Sequence, residues 1–284
     1  MPGTLFVVAT PIGNLEDVTF RAVRVLREAD LIAAEDTRRT ATLLARHDIR
    51  TPTTSFHEHN ERRMLPLLVS RLAAGQKVAV VSDAGTPGIS DPGFRLVRAA
   101  VEAGTRVEVI PGPSAPITAL VASGFPTSNF TFLGFPPVRG EARRAWVDAL
   151  AREPRTTVFF EAPHRVRATL EELREHIGDR AVAVGRELTK LHEEILRGTL
   201  TAVLAHLDSP RGEFTVVVSP PDETDKTGCR TPEDRDIWTE FCQMTETGAS
   251  SRRQVIGAIA RKYGLSVKTV YETVERVKKA LPKP

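Results

Sequence analysis

The chain has 284 residues, of which 41% are hydrophobic and 26% are charged, with a net charge of +3. These fractions are close to the average of globular proteins and exclude a chain that is disordered as a whole. No apolar run approaches the ~20 residues of a membrane-spanning helix, and the start M-P-G-T-L-F-V-V-A-T lacks the basic segment of a signal peptide. We therefore expect a cytoplasmic protein with no membrane partner.

The charge is distributed unevenly along the chain. From residue 249 onward nine Lys or Arg stand against two Glu, so this segment carries +7 and the preceding 248 residues carry −4. A mildly acidic body with a basic C-terminal segment predicts a ligand-binding or enzymatic unit joined to a polyanion-binding appendage. The two cysteines, Cys229 and Cys242, lack further Cys or His at metal-binding spacing, so we expect reduced thiols and no metal site.

In the first half, short apolar runs alternate with amphipathic helical patterns, which is typical of an α/β fold with parallel strands. Strands are predicted at 5–9, 31–34, 78–81 and 106–110, and helices around 18–26 and at 40–46, 61–74, 94–103 and 114–123. The P-G-P sequence at 111–113 predicts a hinge, and hence an N-terminal α/β subdomain over 1–112.

The second half predicts another α/β subdomain, over 113–220. Its strands are predicted at 130–134, 156–160, 181–185, 192–197 and 214–219, and its helices at 141–152 and 165–176. Short spacings between 181 and 219 leave little room for crossover helices, so we expect a mixed sheet with antiparallel pairs. The polar, proline-containing stretch 221–233 is predicted to be a linker.

The last segment, 234–284, predicts a small helical module. Helices are expected at 234–245, at 251–262 and after Ser266, with the turn Y-G-L-S giving helix-turn-helix spacing. One interpretation is that its cations bind an RNA backbone; the other is a solvated basic face around a small core of Val255, Ile259, Val270 and Val274. The candidate RNA-binding residues are Arg252, Arg253, Lys262, Lys268, Arg276, Lys278 and Lys279.

Four loops rich in glycine or proline each follow a predicted strand. They are T-P-I-G-N at 10–14, S-D-A-G-T-P-G-I-S-D-P-G at 82–93, P-G-P-S-A at 111–115 and E-A-P-H-R at 161–165. Loops at the carboxyl ends of parallel strands lie on one edge of a sheet, where ligands bind. The 82–93 loop contains no Lys or Arg, which disfavours a phosphate site and favours a neutral or cationic ligand. Each loop taken alone is equally compatible with a tight βα turn.

Six motifs together resemble the tetrapyrrole-methylase superfamily. They are V-A-T-P-I-G-N-L-E-D at 8–17, A-E-D-T-R at 34–38, the 82–93 loop, I-P-G-P-S-A at 110–115, F-F-E-A-P-H-R at 159–165 and R-E-L-T-K at 186–190. Within it they are similar to members that use S-adenosylmethionine to methylate a ribose 2′-hydroxyl of a cytidine in 16S rRNA. The resemblance implies a methyl donor in the cleft between two α/β halves, 16S rRNA or the 30S subunit as partner, and a homodimer.

The resemblance also implies which residues bind the donor. A sulfonium is cationic, so a loop with Asp83 and without Lys or Arg suits it. The implied donor-binding residues are Pro11 on the floor, Asp83, Gly85 and Thr86 at the methionine part, Ser114 and Ala115 beside them, and Ala162, Glu213, Phe214 and Thr215 at the adenine side.

Catalysis on a ribose hydroxyl needs positioning and a proton acceptor, because the hydroxyl is a weak nucleophile. The candidate catalytic residues within the motifs are the carboxylates Glu35, Asp36 and Glu161 and the phosphate-orienting Arg38 and Arg186. The alternative for E-D-T-R is an N-capped helix with a solvated arginine. The residues alone do not single out a base.

Two other functions are compatible with the sequence. A small-molecule methylase of the tetrapyrrole type fits the motifs, but such an enzyme has no evident use for a C-terminal segment with a charge of +7. A metabolite-sensing regulator fits the helix-turn-helix spacing, but no dimerisation helix accompanies it. We therefore favour the RNA methyltransferase.

Overall fold

The computed structural model describes residues 3–207, 211–221, 234–246, 252–263 and 265–280. The chain divides into two compact units, Met1–Pro220 and Pro221–Pro284. The predicted linker lies outside the described residues except for Pro221, and Cys229 lies outside them as well. None of the described helices combines the length and apolar character needed to cross a bilayer.

A five-stranded sheet in the order β3-β2-β4-β1-β5 forms the first half of the larger unit, and all of its strand pairs are parallel. The strands are β1 (Thr4–Val8), β2 (Leu31–Ala34), β3 (Thr53–Ser55), β4 (Lys77–Val81) and β5 (Arg106–Ile110). The helices are α1 (Phe20–Glu28), α2 (Thr37–Arg46), α3 (Glu61–Ala73) and α4 (Phe94–Glu102). The predicted parallel α/β half is confirmed; β3, a short edge strand, was not predicted.

Helices cover both faces of this sheet, which explains why its central strands are apolar apart from Thr4 and Lys77, the first residues of β1 and β4. Successive side chains of β4 point to opposite faces. Val78 and Val80 pack with Leu68 and Leu72 of α3, whereas Val81 packs on the other side with α1 and α2. The resulting fold has three layers, with its loops at the sheet edges.

The second half contains a mixed sheet in the order β6-β7-β10-β8-β9. Its elements are α5 (Ala115–Ser123), β6 (Phe130–Phe132), α6 (Gly140–Arg152), β7 (Thr156–Glu161), α7 (Pro163–Ile177), β8 (Ala181–Arg186), β9 (Glu194–Thr199), α8 (Leu200–Leu204) and β10 (Phe214–Val218). β6 runs parallel to β7, and the other pairs are antiparallel. The predicted mixed sheet is therefore confirmed, and α8 is an addition to the prediction.

The smaller unit contains the helices α9 (Asp234–Glu246), α10 (Arg252–Tyr263) and α11 (Val267–Ala280). Ser266 caps α11, because its side-chain oxygen accepts a hydrogen bond from the backbone N–H of Thr269 at 3.0 Å. The predicted small core exists: Val255, Ile259, Val270 and Val274 are buried together with Ile237 and Phe241 of α9.

The loop that follows β1 connects the two halves of the larger unit. Thr10 exchanges backbone hydrogen bonds with Gly85, at 2.8 and 3.0 Å. Ile12 is buried in an apolar cluster of the second half, among residues that include Leu188. Gly13 lies so close to that half that an added Cβ would be 2.8 Å from the carbonyl oxygen of Leu188. This position therefore accepts no side chain without a shift of the backbone.

We expect Gly13→Ala to destabilise the larger unit by about 1–3 kcal/mol, because the new methyl group overpacks a contact between backbone segments. Urea unfolding followed by the fluorescence of Trp146, which lies in the core of the second half, measures the change. Gly257→Ala is the matched control, since an added Cβ there meets nothing within 4 Å. An unchanged midpoint for Gly13→Ala would contradict the tight contact.

Candidate active site at the loop edge of the two sheets

A cavity of about 340 Å³ opens where the loops of the two halves of the larger unit meet. This volume is within the range of small-ligand sites, roughly 300–1,000 Å³. The first half contributes the loops after β1, β2, β4 and β5, which the parallel sheet brings to one edge. The second half contributes the carboxyl end of β7 and the start of β10, which are neighbours because Phe214 pairs with Glu161.

The cavity brings together most of the residues that the sequence motifs singled out. It is lined by Glu35, Asp83, Gly85, Thr86, Ser114, Ala115, Glu161, Ala162, Glu213, Phe214 and Thr215. Pro11 is buried beside it but does not line it; the neighbouring Ile12 does. Asp36, Arg38 and Arg186 also fall outside the lining.

The three outlying catalytic candidates have partners of their own. Asp36 is the N-cap of α2, and its carboxylate holds both the backbone N–H and the guanidinium of Arg38, at 2.9 and 2.7 Å. The hydrogen bonds from the Arg38 side chain lower the pKa of Asp36. This is the capped-helix alternative for E-D-T-R, with Arg38 almost fully solvated. Arg186 donates to the carbonyl oxygen of Arg211 at 2.8 Å and lies 3.5 Å from Glu194.

Negative charge dominates the cavity wall. Among the described residues, its ionisable lining residues are five acidic ones, Glu35, Asp83, Asp91, Glu161 and Glu213, and one cation, Arg39. The two carboxylates that follow β2 and β4 interlock: Glu35 accepts from the backbone N–H of Asp83 at 3.1 Å, and Asp83 accepts from the backbone N–H of Asp36 at 3.0 Å. Arg39 lies 3.3 Å from the other oxygen of Asp83. Adjacent parallel strands thereby hold two acidic side chains side by side.

Burial and nearby negative charge raise the pKa of two carboxylates of this wall, Glu35 and Asp91. The pKa of Glu35 is raised, mainly by burial and further by the charge of Asp83, although the hydrogen bond from the Asp83 backbone opposes the shift. Burial raises the pKa of Asp91 to about 7, with a further contribution from the charge of Glu35. The sequence predicted Asp91 as a hydrogen-bond acceptor of the 82–93 loop, but it was not among the candidate donor-binding or catalytic residues.

The carboxylate of Glu161 is fully buried, and both of its oxygens have ion-pair or hydrogen-bond partners. It lies 2.6 Å from Arg165 and 3.8 Å from Arg143, and it accepts hydrogen bonds from Thr169 Oγ1 at 2.6 Å and from the backbone N–H of Ala162 at 2.8 Å. Such a network holds the end of β7 against α7 and α6. Its lone pairs are taken by these donors, which makes Glu161 a structural residue of the wall rather than a free base.

Apolar side chains form the remaining walls. Ile12 and Leu188 line the cavity from the loop after β1 and from the R-E-L-T-K turn, and Phe135, Phe160 and Phe214 line it from the second half. The rings of Phe135 and Phe160 are 5.2 Å apart and tilted. Phe135 was missed from sequence although it follows β6, so the rule that ligand-binding loops follow parallel strands would have found it.

The basic residues of the smaller unit separate into two groups. Arg252 lies over the rings of Phe241 and Tyr271, at 5.8 and 5.7 Å, and pairs with Glu275. Arg276 pairs with Asp234 at 2.7 Å. These two cations pair with carboxylates of other helices. Lys268 lies 3.9 Å from Glu272 of its own helix, and Arg253, Lys268 and Lys278 are exposed. The side chains of Lys262 and Lys279 lie outside the described residues.

The described ranges contain no group of three or more His, Cys, Asp or Glu side chains arranged to hold a metal ion. The acidic wall is instead spread over separate hydrogen-bonded positions, with Arg39 beside Asp83. Its excess of negative charge fits an organic cation in the cavity.

We expect Glu161→Gln to lower the free energy of unfolding by about 3 kcal/mol, because a buried ion pair that loses one partner leaves an uncompensated charge at Arg165. Urea denaturation of the variant measures this. Glu171→Gln removes the same charge from an exposed pair with Arg167 and should change stability by less than about 0.5 kcal/mol. A fully stable Glu161→Gln protein would contradict the structural role.

Comparison with known proteins agrees with this architecture. A family model described as Tetrapyrrole (Corrin/Porphyrin) Methylases matches residues 4–204. A uroporphyrin-III C-methyl transferase from Thermus thermophilus, solved in complex with S-adenyl homocysteine, superposes with a TM-score of 0.55 at 19% identity, over 76% of this chain and 97% of that one. At this identity the likeness concerns the fold.

Two relatives in the same comparison are named ribosomal RNA small subunit methyltransferase I. The one from Thermotoga maritima is 50% identical over 219 residues, which cover 76% of this chain and 98% of the relative. The one from Micromonospora olivasterospora is 44% identical over 281 residues, covering 96% of this chain and 86% of the relative. The chain belongs to the tetrapyrrole (corrin/porphyrin) methylase family.

Proposed function

We propose that this protein is an S-adenosylmethionine-dependent rRNA methyltransferase that modifies the ribose 2′-hydroxyl of a cytidine in 16S rRNA of the small ribosomal subunit. The observation that carries the proposal is the 50% identity with a relative named ribosomal RNA small subunit methyltransferase I over nearly that relative's whole length. The acidic cavity supports it independently, because its charge suits a cationic donor.

The donor fits the chemistry of the cavity. Its sulfonium supplies an electrophilic methyl group, and the carboxylates of Glu35, Asp83 and Asp91 offer the negative charge that stabilises a cation. Ser114 and Thr86 offer polar groups for the methionine part, and the aromatic wall at Phe160 suits a purine ring. The apolar wall also excludes water from the reacting groups.

An RNA substrate accounts for the basic C-terminal unit. Arg253, Lys268 and Lys278 are exposed cations of α10 and α11 and are available for phosphate contacts. Arg252 and Arg276 are not assigned to RNA, because they pair with carboxylates of other helices, Glu275 and Asp234. The pair of Lys268 with Glu272 lies on the exposed surface of a single helix, where an ion pair is weak. The homodimer implied by the family resemblance and the cytoplasmic location expected from the composition remain predictions.

The decisive assay offers methyl-tritiated S-adenosylmethionine with 30S subunits, naked 16S rRNA or uroporphyrinogen. We expect label in the ribosomal RNA, at one cytidine whose 3′ phosphodiester resists alkaline hydrolysis because its 2′-oxygen is blocked. Reconstituted RNA with 2′-deoxycytidine at that position should take no label. Label in uroporphyrinogen alone would favour the small-molecule methylase, and label nowhere together with specific duplex DNA binding would favour the regulator.

A second prediction concerns the exposed cations of the smaller unit. Replacing Arg253, Lys268 and Lys278 together by Gln should weaken RNA binding and reduce the slope of log K against log salt by about 2, since three phosphate contacts are lost. Filter binding at several salt concentrations measures the slope. The control replaces Arg24, Arg98 and Arg152, exposed arginines of the larger unit, and should keep it. Equal slopes in the two variants would contradict a specific RNA-binding face.

A further inference from the structure

Asp91 lies in the 82–93 loop at a point where the backbone is held in unusual conformations. Ser90, directly before it, has φ +62°, and Gly93, two residues after it, has φ +133°. A non-glycine residue with positive φ costs on the order of 1 kcal/mol, and such residues concentrate at functional sites. This loop shape places Asp91 in the cavity lining, beside the donor-facing motif residues.

The three carboxylates of the first-half wall differ in their partners. Asp83 is held by a backbone N–H and by Arg39, and Glu35 is held by the backbone N–H of Asp83. Asp91 has a hydrogen bond with the hydroxyl of Ser82. Among the described residues, neither a backbone N–H nor a cation contacts its carboxylate. Of these three carboxylates, Asp91 is therefore the one that neither a backbone N–H nor a cation holds in the described part of the chain, and it has capacity to accept a proton from a ligand.

The charges around Asp91 favour its protonated form. Burial is the main cause that raises the pKa of Asp91 to about 7, and the negative charges of Glu35, directly after β2, and of Asp83, in the same loop, raise it further. Arg39 of α2 partly compensates the negative charge of Asp83. His57, after β3, acts electrostatically on Glu35 and opposes the rise of its pKa.

The ionised lining residues of the second half are compensated locally. Glu161 pairs with Arg165 at 2.6 Å, and Glu213 pairs with Lys190 at 3.0 Å. These pairs leave Asp91 under the influence of Glu35 and Asp83. A base whose pKa lies near the working pH is the most effective proton acceptor.

We propose that Asp91 is a catalytic residue: its carboxylate accepts the proton of the ribose 2′-hydroxyl during methyl transfer. The ribose oxygen forms its new bond to the methyl carbon, the carbon–sulfur bond breaks with its electron pair on sulfur, and the hydroxyl proton moves to Asp91. The sulfonium becomes a neutral thioether, and the carboxylate becomes a neutral acid. This inference rests on the proposed function, because it needs an RNA hydroxyl as acceptor.

The kinetic test compares single-turnover rates of RNA methylation between pH 5.5 and 8.5, with the donor saturating. The wild type should lose activity as the pH falls through the pKa of Asp91, which the charge of the bound donor holds at or below 7. Asp91→Asn keeps the shape of the side chain but accepts no proton. Its rate should be about a hundredfold lower at pH 8, and it should lack this loss of activity at low pH, the acid limb of the pH profile. Asp148→Asn, at an exposed aspartate of α6, should behave as wild type.

A second variant separates proton transfer from a merely structural role. Glu35→Gln removes the neighbouring negative charge, which should lower the pKa of Asp91 and move the acid limb to lower pH. This test remains decisive if Asp91→Asn does not fold. An acid limb unmoved in Glu35→Gln, or retained in an Asp91→Asn protein that reacts within threefold of the wild-type rate, would overturn the proposal.

A readout without catalysis uses protein with ¹³C-labelled aspartate carboxyls. One resonance should titrate near pH 7, vanish in Asp91→Asn and titrate at lower pH in Glu35→Gln. If every aspartate titrates below pH 5, Asp91 is not the base. Failure of the proposed function is distinguishable, because wild-type protein would then label no RNA, whatever the titration of Asp91.

Discussion

The packing of the loop after β1 between the two sheets is the constraint on which the rest of the larger unit depends. Ile12 belongs to an apolar cluster of the second half, although the strand that precedes it, β1, lies in the first half. Thr10 fixes the glycine-rich loop through backbone hydrogen bonds to Gly85, and Gly13 approaches the R-E-L-T-K turn without room for a side chain. One short segment thus sets the spacing of both cavity walls.

That spacing brings acidic groups from both halves into one cavity, and each half stabilises them differently. The second half uses cations, Arg165 for Glu161 and Lys190 for Glu213. The first half uses mainly backbone N–H groups, which stabilise a carboxylate without cancelling its charge. Negative potential therefore persists on the first-half wall, where a cationic ligand gains most and where a proton is held most readily.

The sequence predicted strands with a continuous apolar run, such as residues 78–81 of β4, because burial on both faces of the sheet requires such a run. It missed β3, a half-exposed edge strand of three residues, and α8, whose five residues also suit a strand. It located most of the cavity lining through loops at strand ends. The position of the Arg186 side chain depends on its contacts with Arg211 and Glu194. The raised pKa of Asp91 depends on its burial and on the proximity of Glu35 and Asp83. Neither is encoded locally.

Under the proposed function, two incompatible electrostatic demands account for the charge division along the chain. Every lysine or arginine that lines a cavity lowers its affinity for a sulfonium, whereas binding of a phosphate backbone requires such residues. Separating the demands into a body of −4 and a segment of +7 satisfies both. Net charge alone overestimates the number of cations available to RNA, because Arg252 and Arg276 form ion pairs that connect the helices of their own unit. The proposed binding of RNA by this unit therefore depends on the cations that, among the described residues, pair with no other helix, such as Arg253, Lys268 and Lys278, rather than on the total charge.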